Sequence, residues 1–129
     1  DDFKGKVDIV LLNSFQTPLP YKGSALNVPN YFCGTDGLLM TDACLGNIAP
    51  WMSENAIVLS NYNHLIDIQV VEDKMARAFN WNKKEVLGTK TFPNHDDYNQ
   101  DAVDFLIPRG FDPARNEKHV TLYKWTRGQ

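Results

Sequence analysis

Hydrophobic and polar positions follow two different periods along this chain, and these periods predict its elements. Residues 6–13 (KVDIVLLN) are mostly apolar, which is typical of a well-buried strand. Residues 14–30 contain three prolines and a glycine, so they are predicted to form an ordered loop without regular structure. Apolar residues at 38–40 precede Thr41 and Asp42, and either of these predicts the cap of a short helix running toward Asn47.

A strand, a turn and a second strand are predicted at residues 56–71. Residues 56–60 are apolar, and the asparagines at 61 and 63 favour a turn. Residues 66–71 alternate, with Ile66, Ile68 and Val70 on one face and Asp67 and Gln69 on the other. The whole segment therefore predicts a β-hairpin.

The hydrophobic period changes to that of a helix after residue 71. One apolar stripe at helical spacing predicts a helix over residues 72–81; its members are Val71, Met75, Ala78 and Phe79. Residues 83–88 (KKEVLG) are then predicted to be a short turn, with Gly88 as a C-terminal cap. This hairpin, helix and turn are expected to organise the core and to place Trp81 and Leu87 in it.

A second helix and a last strand complete the predicted elements. Residues 97–107 repeat the helical spacing, and aspartates at the start suit the positive end of the helix dipole. Residues 119–126 (HVTLYKWT) are β-branched and aromatic, which favours a strand. We therefore expect an α+β fold in a single domain, residues 1–129, with a mostly antiparallel sheet packed by two or three short helices. Its halves would be a proline-rich strand and loop (1–54) and a hairpin-helix-helix-strand unit (55–129).

Composition and charge narrow the class of partner. The chain of 129 residues is 43% hydrophobic and carries a net charge of −3, which is typical of a globular domain and argues against a nucleic-acid binder. No apolar run is long enough for a membrane helix, so we expect a soluble protein, cytoplasmic or secreted. A small molecule or a protein is then the expected partner, and nothing in the sequence identifies a cofactor.

Residues 56–128 resemble a PAS domain. The resemblance rests on the strand at residues 66–71, the helix ending in Trp81 and the turn Glu85-Val86-Leu87-Gly88. His95-Asp96-Asp97 stands where many PAS domains carry a His-Pro-Asp-Asp motif. The resemblance implies a non-enzymatic, sensor-like domain with a pocket between sheet and helices. No cysteine lies near Thr91, where photoactive flavin domains of this family have one.

The pocket implied by this arrangement would bind a ligand between the residue 66–71 strand, the following helix and the last strand. Its predicted lining residues are Ile68, Val70, Met75, Phe79, Tyr123 and Trp125. Another possibility is an accessory subunit of a larger complex, for which apolar strands at both ends of the chain and the proline-rich segment would supply the contact surface.

A different class of function is suggested by the densest polar cluster. Imidazole and carboxylate groups at His95, Asp97 and His119 could bind a divalent metal and support a small hydrolase. The alternative interpretation is a solvated helix start whose aspartates complement the dipole.

Two cysteines leave two interpretations open. Cys33 and Cys44 could form a disulfide that stabilises the proline-rich half, or they could be two ordinary thiols. No Lys, Arg or His lies near Cys33 in the sequence to lower the pKa of its thiol, so a nucleophilic role is not favoured.

Overall fold

A computed structural model describes residues 2–28 and 31–127, except for the side chain of Phe79. In this part of the chain, four strands alternate with three helices. The strands are β1 (Val7–Leu12), β2 (Met52–Asn63), β3 (Lys83–Pro93) and β4 (Glu117–Thr126), and the helices are α1 (Leu39–Ile48), α2 (Ile68–Phe79) and α3 (Gln100–Leu106). Short 3-10 turns, Ala49–Trp51 and Ile107–Arg109, follow α1 and α3. The predicted α+β class is confirmed.

The four strands form one mixed sheet in the order β1-β2-β4-β3. β1 pairs with β2 in parallel, whereas β4 pairs antiparallel with both β2 and β3. It follows that β1, β2 and β3 run in the same direction, with β4 inserted between the last two. Since parallel strands need a crossover, the chain passes through α1 between β1 and β2 and through α2 between β2 and β3.

Both crossover helices pack on one face of the sheet, which we call the covered face. Val71 and Met75 of α2 and Leu45 of α1 are buried there against the sheet. The strand residues of this main core are Val10, Leu12, Ala56, Val58, Tyr62 and Trp125. Trp81 is fully buried in the same cluster, as predicted, but Leu87 is 47% exposed, so its predicted core position is wrong.

Two smaller apolar clusters lie beyond the ends of β1 and β2. One joins the proline-rich loop to α3 through Leu19, Ala25, Tyr31, Cys33 and Ala102. The other contains Leu65, Leu106 and Phe111. An isolated bridge between Ala25 and Tyr98 ties the loop to the segment before α3, so the described part of the loop is ordered without belonging to the sheet.

Several predicted elements are confirmed with shifted ends. Residues 6–13, 56–60 and 119–126 lie in or around β1, β2 and β4. The helix expected at 97–107 begins at Gln100, where the Asn99 side chain accepts the N–H of Ala102 at 3.0 Å as an N-cap. Neither Thr41 nor Asp42 caps α1, which begins at Leu39.

The predicted strand at residues 66–71 is wrong. Its last four residues form the first turn of α2, and the Asp67 carboxylate caps that helix by accepting the N–H of Gln69 at 3.0 Å. A short alternating run fits either period, and here Ile68 belongs to the same helical stripe as Val71 and Met75. The predicted β-hairpin therefore does not form, and β2 pairs with β1 and β4 instead.

The predicted turn at residues 83–88 is also wrong, because these residues begin β3. Every side chain of this edge strand is exposed, so no hydrophobic period marked it in the sequence. Backbone pairing with β4 holds it, with a register shift between Val86 and Gly88. The strand and the turn on which the resemblance to PAS domains rested are therefore not formed, and the resemblance itself stays a prediction.

Both cysteines are free thiols, so of the two interpretations left open the disulfide is wrong and the two ordinary thiols are confirmed. They belong to different clusters: Cys33 is buried with the proline-rich loop, whereas Cys44 lies on α1 and packs against the main core. Burial raises the pKa of the Cys33 thiol, which makes it less reactive at neutral pH.

Candidate functional site

Chain direction brings polar segments together at one edge of the sheet. β1, β2 and β3 end there at Leu12, Asn63 and Pro93, and β4 begins there at Glu117. We call this the carboxyl edge. In open sheets with parallel strands, ligands bind in the crevice outside the carboxyl ends of the strands. This edge is therefore the first place to look for a site.

A cavity of about 310 Å³ opens at the carboxyl edge. Its walls come from the segment after β1, from the ends of β2 and β3, from the start of β4 and from Tyr31. The lining residues are Asn13, Ser14, Phe15, Gln16, Tyr31, Asn61, Asn63, Phe92, Lys118 and Val120. This volume is near the lower end of the range for small-molecule pockets.

The Gln16 side chain fixes the segment after β1 against the end of β2. Its amide donates to the carbonyl of Asn61 at 2.8 Å and accepts the N–H of Asn63 at 2.7 Å. Gly37 packs on the other side of this residue with a φ of +77°, and a Cβ there would lie 2.1 Å from the Gln16 carbonyl oxygen. Only glycine permits this approach, so the wall of the cavity is set by close backbone contact.

Tyr31 is the second fixed point of the cavity. Its hydroxyl accepts the N–H of Thr17 at 3.1 Å and donates to the Thr17 hydroxyl oxygen at 2.8 Å. Both residues are buried. A buried tyrosine whose hydroxyl bonds to a loop in this way holds that loop in one conformation, and Tyr31 also lines the cavity.

Lys118 is the charged group of the cavity. Its ammonium donates to Asp96 at 2.5 Å and to the Thr17 hydroxyl at 3.2 Å. Tyr98 also donates to Asp96, at 3.1 Å, and burial together with the Asp96 charge raises the pKa of Tyr98. An ammonium has three N–H donors, so one remains for a ligand. The Asp96 carboxylate compensates the charge of Lys118, so the cavity does not require an anionic ligand.

Two aromatic rings at the cavity are exposed. Phe15 is 65% exposed and lies edge-on to Tyr31, with 4.8 Å between ring centroids. Phe92 is 42% exposed, and the Lys90 ammonium lies 5.2 Å from its ring centroid. Single exposed apolar side chains are ordinary, but two exposed phenyl rings at one cavity together offer flat apolar faces on which a planar ligand can stack.

A histidine pair closes the other side of the carboxyl edge. The His64 and His119 rings meet at 4.8 Å between centroids, and His64 Nδ1 accepts the N–H of His119 at 3.1 Å. His64 Nε2 lies 3.0 Å from the carbonyl oxygen of Gly110, which makes it the protonated nitrogen. Burial lowers the pKa of His64. Both ring nitrogens serve the fold, so this pair is structural.

The predicted metal residues are not brought together. His119 lies on β4, and its Nδ1 is 2.8 Å from the hydroxyl of Thr91 on β3. His95 and Asp97 follow β3 with exposed side chains, and their backbone groups are hydrogen-bonded to the Asn27 side chain. Across residues 2–28 and 31–127, no three His, Cys, Asp or Glu side chains are grouped to hold a metal ion.

The predicted ligand residues belong mostly to the core. Met75 and Trp125 are fully buried, and Ile68, Val70 and Tyr123 are partly buried against the same cluster. Phe79 lies in α2, but its side chain is outside the described residues. The sheet and α2 pack directly against each other here, so these residues stabilise the fold rather than line the cavity at the carboxyl edge.

A larger cavity, of about 510 Å³, lies between the starts of α1 and α2 and the end of α3, and Val70 is one of its lining residues. Its charged groups already have partners. Asp36 and Asp67 accept the N–H groups of Leu38 and Gln69, and Arg109 donates to the carbonyl of Phe105. No aromatic ring of a described residue lines this cavity, whereas three line the smaller one, so we favour the smaller cavity as the ligand site.

The residues that form this cavity were not predicted as site residues from the sequence. One signal was present: polar residues follow apolar strands directly, with Asn13 after the first run and Asn61 and Asn63 after the second. Lys118 does not follow an apolar strand, because β4 is antiparallel to β2 and only its first residues lie at the carboxyl edge.

Comparison with known proteins adds no identity. No model of a protein family matches this chain, and no curated protein matches it. In the described ranges, no helix has the length and apolar character needed to cross a membrane.

Proposed function

We propose that this domain binds a small, planar heteroaromatic molecule of the size of a nucleobase at the carboxyl edge of its sheet. The observation that carries the proposal is the pair of exposed rings, Phe15 and Phe92, at a cavity whose remaining lining is polar apart from Tyr31 and Val120. Aromatic side chains bind flat heterocycles by stacking on their faces.

Hydrogen-bonding groups at the same cavity suit a heterocycle with ring nitrogens and carbonyl oxygens. The Asn13 and Asn61 side-chain amides make no hydrogen bond to another described residue, and each offers a donor and an acceptor. Lys118 adds one further donor beside them. Because Asp96 compensates the lysine charge, recognition would depend on the ring and not on a phosphate group.

The size and rigidity of the cavity favour binding of a preformed shape. A volume of about 310 Å³ accommodates a one- or two-ring ligand better than an extended one. Gln16 and Tyr31 hold the loop walls by buried hydrogen bonds, which lowers the entropy lost on binding. The proposal is one of binding, because no cavity residue combines a nucleophile with an adjacent base.

Titration with the four common nucleosides tests the proposal by calorimetry and by saturation-transfer NMR. We expect at least one nucleoside to bind and ribose 5-phosphate not to bind. Phe92→Ala and Phe15→Ala are each expected to weaken binding by about tenfold, because stacking on an aromatic ring contributes about 1–3 kcal/mol per base.

Phe3→Ala is the matched control, since Phe3 is 71% exposed and lies away from the cavity. Circular dichroism and the urea midpoint establish that each variant is folded. Absence of binding by all four nucleosides, or equal affinity in the Phe92 and Phe3 variants, would contradict the proposal.

A further inference from the structure

Among residues 2–28 and 31–127, the second face of the sheet is covered only at its carboxyl end, where the loop walls of the cavity lie on Asn61 and Lys118. Strand register places Ile9 beside Ile57, Leu11 beside Leu59, and Asn61 beside Leu122 on this side. Ile9 is 58% exposed, Leu11 is 73% exposed and Leu122 is 39% exposed. We call this side the open face.

The sequence of β1 is that of a strand buried on both sides. Residues 9–12 (IVLL) are an unbroken apolar run, and β1 pairs in parallel with β2. Strands that are buried on both faces of a sheet read as near-continuous apolar runs, whereas strands with one face in water alternate. The open face is therefore built to be covered, although scattered apolar residues alone would not justify this conclusion.

Charge divides the open face into two halves. Its β1–β2 half is apolar, whereas its β3–β4 half carries Lys83, Lys90 and Lys124 with only Glu85 as a counter-charge. None of these three lysines makes an ion pair with a described residue. The chain as a whole has a net charge of −3, so this basic half is a local feature.

We propose that the open face docks an amphipathic helix of a partner polypeptide, with its apolar stripe on Ile9, Leu11 and Leu59 and an acidic flank over Lys90 and Lys124. Charge complementarity carries the acidic character of the partner. Helices already pack on the covered face of this sheet, so the same sheet geometry accepts a helix on the second face. A covering helix of about 20 residues spans about 30 Å, close to the length of the 10-residue strand β4.

A second copy of the chain fits the open face less well. Laid face to face about either in-plane two-fold axis, its lysines would meet either the lysines or the apolar half of the first copy. Neither arrangement pairs opposite charges, and like charges brought together across an interface are destabilising. A partner helix with acidic residues satisfies both halves at once.

Fluorescence anisotropy with a labelled peptide tests this proposal. The probe is an amphipathic helical peptide of about 20 residues with a leucine stripe flanked by glutamates, and the matched peptide has lysines in place of the glutamates. We expect only the acidic peptide to bind. Leu11→Ser is expected to weaken its binding by about tenfold or more, and Lys124→Glu to weaken it and to allow the lysine peptide to bind.

Leu26→Ser and Lys22→Glu are the matched controls, because both residues are exposed outside the open face. Equal binding of the two peptides, or no effect of Leu11→Ser, would overturn the proposal. So would binding to vesicles of phosphatidylcholine and phosphatidylserine that Leu11→Ser abolishes, which would indicate a membrane as the partner. A dimer in sedimentation velocity that Leu11→Ser dissociates would indicate a second copy instead.

Discussion

The two faces of the same sheet differ in what covers them. On the covered face, α1 and α2 bury Val10, Leu12, Val58 and Trp125. On the open face, the neighbouring residues Ile9 and Leu11 of β1 remain exposed. Both sides of this strand are equally apolar in sequence, so hydrophobicity alone does not decide burial. What decides it is whether a crossover helix passes over that side.

This difference separates residues that stabilise the fold from residues available for contact. Apolar burial on the covered face contributes roughly 25 cal/mol per Å² to folding, and exposed apolar residues contribute little until a partner covers them. The carboxyl edge lies between these extremes, because buried polar residues there hold a cavity open to solvent. The following predictions test this division.

The largest difference is expected between two adjacent leucines of β1. Leu12 is 7% exposed on the covered face, and Leu11 is 73% exposed on the open face. Leu12→Ala should lower the free energy of unfolding by about 2–5 kcal/mol, because it leaves a cavity in the core. Leu11→Ala should change it by less than about 0.5 kcal/mol. Urea unfolding followed by tryptophan fluorescence measures both values.

Equal losses of unfolding free energy in the two leucine variants would contradict this prediction. They would mean that the open face is covered in the isolated protein, for example by a second copy.

A smaller difference is expected for two hydroxyl hydrogen bonds. Trp125 Nε1 donates to the Ser60 hydroxyl at 2.7 Å in the buried core, whereas the Thr89 and Thr121 hydroxyls lie 3.2 Å apart on the exposed β3–β4 pair. Ser60→Ala should destabilise by about 1–3 kcal/mol, because the indole N–H is left buried without an acceptor. Thermal unfolding and urea midpoints of the variant measure this loss.

Thr89→Val is the matched control, because valine keeps the β-branched shape and water replaces the lost bond; we expect a change below about 0.5 kcal/mol. A loss in this control as large as in Ser60→Ala would show that exposure does not set the cost.

The smallest effect is expected from protonation of His64 at the carboxyl edge. Burial lowers the pKa of His64 below its ordinary value of 6.5. Below pH 6.5 the unfolded chain therefore takes up a proton more readily than the folded chain. Stability should be complete above this pH and fall as pH drops through the lowered pKa. The effect is small because the ring is partly exposed to water.

His64→Gln should flatten this part of the pH profile, since glutamine keeps an amide donor for Gly110 but does not titrate. Chemical unfolding at a series of pH values compares the two slopes. An unchanged slope in the variant would assign the pH dependence to another group.

Part of the fold could be predicted from residues with strong local signals. β1 and β4 have apolar and β-branched runs, α3 has apolar residues at helical spacing, and Trp81 closes an apolar stripe. Each signal lies within a short segment, so neighbouring residues determine the element.

The wrong predictions have one physical cause in common: contacts with distant parts of the chain, which a local pattern does not contain, contributed to each outcome. Residues 66–71 fit both periods, and Asp67 as a cap together with burial of Val71 against the sheet selected the helix. β3 has no buried face, so its strand conformation depends on β4, a partner about 30 residues later in the chain. The predicted disulfide was wrong because Cys33 and Cys44 pack in different clusters.

The α+β class, the presence of β1, β4 and α3 and the burial of Trp81 followed from the sequence alone, whereas the element ends and the exposed position of Leu87 did not. Only the tertiary structure decided the order of the strands, and this order places Lys118 beside Gln16 and Tyr31. It also decided that α1 and α2 cover the side of β1 that carries Val10 and Leu12. The physical reason is range: a local pattern sets the conformation of a few residues, whereas a cavity or a face is assembled from segments as many as 100 residues apart, as between Thr17 and Lys118.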